Sequence, residues 1–330
     1  MNGIEVDVRT LREAAEHLGL AVGTAVNVGA LVAEPAYRAE VAAQFSTVTA
    51  EDDMKWERVE PTRGAYDWTA ADRLMDFARE NDQRVRGHTL VFHNQLPDWL
   101  TGGTFSDGEL RELLRGHVID EASHFRGRIW QWDVVNEAFN DDGTMRESLW
   151  LRALGPGYVA DAFRWAHAAD PDALLFYNDY DIETIGPKSD AVYALVKSLR
   201  AEGVPIHGVG FQAHATVDFA PADLAENMAR FTALDLDTAV TEADVRMPLP
   251  ADGVKAQAQA AVYSQLLKAC IATRRCLSFT VWGFTDAHQW VPSFFPGHGS
   301  AAIEDENLRP KPAFDVLLQD LRLASARARQ

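Results

Sequence analysis

Apolar residues recur along the chain in short, nearly unbroken runs separated by longer amphipathic stretches. The runs lie at 20–26 (LAVGTAV), 46–50 (STVTA), 84–91 (RVRGHTLV), 129–135 (IWQWDVV), 173–177 (ALLFY), 206–212 (IHGVGFQ), 236–241 and 277–282 (LSFTVW). Continuous rather than alternating apolar character predicts parallel strands covered on both faces. The stretches between them carry helix signals. Residues 107–125 set Leu110, Leu113, Leu114, Val118, Ala122 and Phe125 at helical spacing, and Ser106 with Glu109 predicts a capping box at the start. Residues 187–202 open on Pro187, place Val192, Leu195, Val196 and Leu199 on the inner face, and stop at Gly203. Residues 254–273 align Val262, Leu266 and Ala269. Eight strands alternating with helices, without a linker-like seam, predict an α/β chain folded as a single (β/α)8 TIM barrel. An open doubly wound sheet would carry a GxGxxG turn after the first strand, and GTAVNVGA lacks that spacing.

Length alone would allow two domains, since 330 residues is about twice a typical domain of ~150. The unbroken alternation argues instead for one catalytic domain spanning 1–330, with its core over about 5–320. The balance of 31 Lys and Arg against 49 Asp and Glu gives a net charge of −18, so neither nucleic acid nor an anionic membrane is an expected partner. No run of about 20 apolar residues is present to span a bilayer. The opening MNGIEVDVRT shows no signal-peptide pattern. A native start at Met1 would imply a cytoplasmic protein, and removal of a leader an extracellular one. Cys270 and Cys276 lie six apart across a helix-to-strand turn, and a disulfide and two buried thiols both fit that spacing.

A barrel gathers its chemistry at the C-terminal ends of its strands. Here those ends are rich in polar groups. The fourth strand runs through WDVVNE to Asn136 and Glu137, and the seventh ends in VTEAD with Glu242 and Asp244. Two Glu from nearly opposite strands face each other across one barrel mouth, the arrangement that glycosidic cleavage requires. The second strand leads to Glu51, Asp52 and Lys55, and the third to His88, His93 and Gln95. The fifth leads to Asn178, Asp179 and Tyr180, the sixth to Gln212 and His214, and the eighth to Trp282 and Trp290. His88 and His93 have opposite parity on an extended strand and no matching carboxylate spacing, so no metal site is expected, and no cofactor. Amides, carboxylates and indole faces together suit a neutral polyhydroxylated ligand. Of nine Trp, Trp282 and Trp290 are expected as sugar platforms and the rest as core.

The segments GTAVN, TAEDDMKWE, GHTLVFH, WDVVNEAF, LFYNDYD, GVGFQAH, VTEAD, TVWGFTD and RPKPAF make the chain resemble the family 10 glycoside hydrolases, endo-β-1,4-xylanases built on a (β/α)8 barrel. The resemblance implies Glu137 as acid/base and Glu242 as nucleophile. It implies that Asn136 binds the 2-hydroxyl of the sugar under attack, and that His214, backed by Asp244, holds the nucleophile. Asn136 and His214 together are expected to keep Glu242 ionised. It further implies Gln212 as a groove amide, and Glu51, Asp52, Lys55, His88 and Gln95 as contacts to the non-reducing side of the substrate. Tyr180 corresponds to an aromatic beyond the cleavage point, and Trp282 and Trp290 to indoles over the groove. The substrate so implied is xylan or xylo-oligosaccharide, and a monomer is expected.

Three positions depart from the family pattern. Asp52 replaces an Asn, Phe92 a Trp, and Val291 an Arg ahead of a longer loop, PSFFPGHGSAAIEDEN. Ionised Asp52 cannot donate, so one sugar contact must be rearranged. Phe92 keeps apolar contact without an indole N–H. Retaining hydrolysis of internal β-1,4-xylosidic bonds is expected, with carboxyl groups about 5–5.5 Å apart. Two alternatives stay open: the same mechanism on another β-1,4-glycan such as a cellobioside, and a non-catalytic sugar-binding barrel.

Overall fold

The computed structural model describes residues 9–219 and 221–328. Eight parallel strands close on themselves: β1 Ala21–Val26, β2 Thr47–Ala50, β3 Arg84–Val91, β4 Gln131–Asn136, β5 Leu174–Asp179, β6 Gly208–Phe211, β7 Asp237–Pro248 and β8 Cys276–Val281. Each pairs with the next, β7 pairs with β8, and β8 returns to β1 with Ala21 opposite Ser278. This is the expected (β/α)8 barrel. The first residues, which bear on a leader and on the start of the core near residue 5, lie outside the described residues. Among those described, no helix is long and apolar enough to cross a membrane.

The helix ends follow their local signals. Asp107–His124 begins at Ser106, whose hydroxyl accepts from the Glu109 N–H while Glu109 accepts from the Ser106 N–H at 2.8 Å. Pro187–Ala201 and Gly253–Ala272 match the predicted helices within a residue or two at each end. The last helix, Pro312–Ala328, packs on Gly253–Ala272 and on Leu11–Glu16, which ties the two ends of the described chain together.

β7 corrects one boundary. It was expected to end at 241 and deliver Glu242 from the strand end, but it runs on to Pro248. Beyond the barrel layer its backbone finds two new partners, a short parallel strand at His214–Thr216 and an antiparallel one at His298–Gly299. Glu242 and Asp244 therefore project from paired, rigid backbone rather than from a loop.

Two glycines make room for large neighbours. A Cβ on Gly87 would lie 2.2 Å from the Trp132 ring, and one on Gly210 would lie 2.2 Å from Asn178 Oδ1. Inside the barrel, Arg86 is paired with Asp133 and donates to Gln131 Oε1 at 2.5 Å, all fully buried. His88 Nδ1 stands 3.0 Å from the same Asp133. This buried ion cluster, in which Asp133 is paired with Arg86 and hydrogen-bonded to His88, holds the floor beneath the barrel mouth.

The two cysteines are joined as a disulfide, their Cα atoms 5.3 Å apart, between the end of Gly253–Ala272 and the start of β8.

Candidate active site

Glu137 is the first residue past β4 and sits at a φ of 58°, a left-handed conformation uncommon for a residue with a Cβ. Two contacts hold it there. Its N–H donates to the Asn178 carbonyl at 2.9 Å, and Arg146 Nε donates to its own carbonyl at 3.0 Å. The turn aims the side chain back over the barrel, where Gln212 Nε2 donates to Oε1 at 3.0 Å and Asn136 Nδ2 at 3.2 Å. Burial pushes this carboxyl above the usual range; the Gln212 hydrogen bond works against that, and the Glu242 charge adds to it. His93 stands 3.9 Å away, with burial holding its own value down at about 4, so it brings no positive charge near neutrality.

Glu242 meets the opposite setting. Asn178 Nδ2 donates to its Oε1 at 2.7 Å, and His214 Nε2 lies 3.2 Å from its Oε2. His214 Nδ1 in turn stands 3.0 Å from Asp244 Oδ2, and His88 Nδ1 lies 4.0 Å from Glu242 Oε1. Burial alone would raise the Glu242 carboxyl. The His214 hydrogen bond and the charges of His88 and His214 outweigh it and hold Glu242 below the usual range. Burial would likewise lower His214, but Asp244 and Glu242 on either side raise it well above an ordinary histidine. One carboxyl is thus held toward its acid form and its neighbour toward its anion.

The profile of glycosyl hydrolase family 10 matches residues 10–320. The chain belongs to that family. It is 44% identical over 315 residues to endo-1,4-β-xylanase B of Thermotoga neapolitana, covering 94% of this chain and 90% of that one. An endo-1,4-β-xylanase of Agaricus bisporus is 42% identical over 276 residues, covering 84% and 83%. The crystal structure of xylanase 10B from Thermotoga petrophila in complex with xylobiose superposes with a TM-score of 0.94 at 41% identity, covering 97% of this chain and 99% of that one.

Within this family 10 barrel, the remaining expected site residues fall on two flanks of the glutamate pair. On one flank Asp52 Oδ1 accepts from Lys55 Nζ and from Gln95 Nε2, both at 3.0 Å. Burial would raise Asp52, but Lys55 and the Gln95 hydrogen bond lower it, so it is an anion. Lys55 and Gln95 are thus both engaged by Asp52. Glu51 beside them is pushed up to about 7 by burial and by the Asp52 charge. His88 is buried, its ring edge-on to Trp282 at 5.2 Å.

On the other flank, Tyr180 takes a hydrogen bond from Arg146 at 2.9 Å, and Lys188 Nζ sits 3.2 Å from the centre of its ring. Trp290 lies 5.0 Å from the His214 ring, and its indole N–H donates to Asp244 at 2.7 Å. That hydrogen bond commits the N–H, and the ring also packs against Phe294 and Phe295. Trp282, 7% exposed, offers little more than an edge.

Two expectations change. Gln212 was expected as a groove amide, yet it is 1% exposed and its NH2 donates to Glu137 and to Asn136 Oδ1 at 3.2 Å. Both its hydrogens are committed, which makes it a positioning residue for Glu137. Asn136 was expected to help hold Glu242, but its amide donates to Glu137 instead. The donor to Glu242 is Asn178, which also donates to Asn136 Oδ1 at 2.8 Å and accepts from Thr241 Oγ1 at 2.7 Å. Asn178 was visible as a polar residue at a strand end. Its partner was not, because 64 residues separate it from Glu242 and only barrel closure joins them.

Proposed function

We propose that this protein is a retaining endo-1,4-β-xylanase acting on xylan and xylo-oligosaccharides, with the whole chain serving as one catalytic domain. One observation carries the reading: two glutamates at the mouth of a family 10 barrel have opposite electrostatic settings, Glu137 raised and Glu242 lowered. Chemically identical side chains driven apart in this way can divide acid and nucleophile roles between them. Glu242, ionised, attacks the anomeric carbon while Glu137 gives its proton to the departing glycosidic oxygen. Glu137, now an anion, takes a proton from water, which then releases the sugar from Glu242. His214, between Glu242 and Asp244, keeps the nucleophile charged and oriented. Glu51, Lys55, His88 and Gln95 face the non-reducing side, Tyr180 lies beyond the cleavage point, and Trp290 covers the groove next to it. The substrate class follows from the named relatives and from a groove of amides, carboxylates and indole rings suited to hydroxyl-rich chains.

The test is a product profile on xylan and xylohexaose beside Glu242→Ala. Random shortening of the polymer with retained anomeric configuration, abolished in the variant, is the expected result. Faster turnover of an aryl cellobioside than of an aryl xylobioside would redirect the reading to a glucan, and undiminished activity in Glu242→Ala would remove it.

A further inference from the structure

One short segment between the two glutamates touches both of them. Gln212 donates to Glu137 Oε1 at 3.0 Å, and His214, two residues on, lies 3.2 Å from Glu242 Oε2. The backbone of the segment is tied to the same centre. The Glu242 N–H donates to the Gln212 carbonyl at 3.0 Å, and the Gln212 N–H donates to the Asp179 carbonyl at 3.0 Å. Ala213, between them, sits at a φ of 63°, a left-handed conformation that a Cβ disfavours. Relaxation of Ala213 toward ordinary extended backbone would swing Gln212 and His214 relative to one another. It would therefore disturb the hydrogen bonds on both carboxyls at once.

A side chain from another loop holds this turn. Glu183, on the loop after β5, is 7% exposed, and its Oε1 accepts from the Ala213 N–H at 2.7 Å. Among the described residues Glu183 forms no ion pair, so this buried carboxyl is matched to a backbone N–H rather than to a cation. Burial pushes it up to about 7, with the Ala213 N–H pulling against that. Of the charged groups nearby, Asp181 on its own loop raises it and His214 lowers it, and Arg246 from the extension of β7 lines the same cavity. A carboxyl keeps an acceptor oxygen in either protonation state, so the hold on Ala213 survives the titration of Glu183.

We propose that Glu183 is a positioning residue for both catalytic carboxyls, fixing Gln212 on Glu137 and His214 on Glu242 through the turn at Ala213. It acts only through residues 212–214 and reaches no reacting atom. The inference rests on the retaining-glycosidase reading above, which supplies the roles of the two glutamates. Its signature is directional. Burial raises both glutamates; the Gln212 hydrogen bond works against that at Glu137 and the His214 hydrogen bond at Glu242. Slackening both contacts raises both carboxyls, and the whole bell of kcat/KM moves to higher pH. Loss of one contact alone would move one limb alone.

The experiment is the pH profile of kcat/KM for the full chain on an aryl xylobioside, beside thermal unfolding. Glu183→Leu removes the acceptor. It should lower kcat by about tenfold or more, leave KM within about twofold, and move both limbs up by about half a pH unit. Glu183→Gln puts back an acceptor oxygen of the same reach without the charge, and should return both limbs to their wild-type positions with most of kcat. Glu183→Asp keeps a carboxyl but withdraws it by one methylene. It should displace both limbs in smaller measure, which carries the test if Glu183→Leu folds poorly. Limbs that stay in place in Glu183→Leu and Glu183→Asp, limbs that move in opposite directions, or a Glu183→Gln as impaired as Glu183→Leu, overturn the positioning role and leave the xylanase reading standing. A wild type that turns over no xylobioside overturns that reading and this inference with it.

Discussion

Asn178→Ala isolates the amide contact that acts beside His214 in holding Glu242. The amide supplies the shortest hydrogen bond to Glu242, 2.7 Å to Oε1, and the carboxyl is almost fully buried at 4% exposure. A hydrogen bond to a charged group contributes about 1.5–3 kcal/mol. Water entering the space left by the amide would recover part of it, so a net loss of about 1.4 kcal/mol is a fair lower figure, equal to about one pKa unit. The bond favours the anion, so its removal raises the Glu242 carboxyl. Glu242 must be ionised to attack, and the acidic limb of kcat/KM should therefore move up by about one pH unit. On the plateau, loss of orientation should cost about tenfold in kcat. The assay is a pH profile on an aryl xylobioside, read together with thermal unfolding to show that the barrel is intact. Asn178→Asp sharpens the test, because a second carboxylate beside Glu242 should move the limb further than the alanine does. An acidic limb that stays in place in both variants would refute the reasoning and return the task of holding Glu242 to His214 alone.

The Gln212 Nε2 hydrogen bond stabilises the Glu137 anion, so Gln212→Leu should raise Glu137 and move the basic limb of the same profile to higher pH by about one unit. A basic limb that moves down would contradict the assignment of Glu137 as acid. Away from the site, burial and the Glu40 carboxyl push Glu304 up to about 9. The folded state thus binds this proton more tightly than the unfolded chain does, and the stability it contributes is full below about pH 4.5 and lost as pH rises through 9. Glu304→Gln should therefore raise Tm at pH 9 by about 2 °C or more relative to wild type and flatten the alkaline decline. A parallel shift at pH 5 and pH 9 would show that the proton is not involved.

The elements of this fold were legible because their signals are local. A capping box acts over three residues, as at Ser106 and Glu109, and an apolar run long enough to be covered on both faces marks a barrel strand wherever it closes. The motifs WDVVNE and VTEAD likewise put Glu137 and Glu242 at one mouth once eight strands are counted. What lay beyond the sequence is what depends on closure and burial. The extension of β7 to Pro248 needs partners from two distant segments. The contact of Gln95 with Asp52 exists only once the loops of β2 and β3 are brought side by side. Whether Cys270 and Cys276 pair was decided by the turn between helix and strand. Above all, the sequence contains two identical glutamates and no statement of which is acid and which anion, apart from likeness to a family. That difference is an energy of desolvation set against hydrogen bonds, and it exists only when Asn178 from β5 and Gln212 and His214 from the segment after β6 meet the two glutamates. The sequence by itself determined the barrel and the residues at its mouth. The tertiary structure decided their charges, because a carboxyl's proton affinity is a property of its surroundings and not of the side chain.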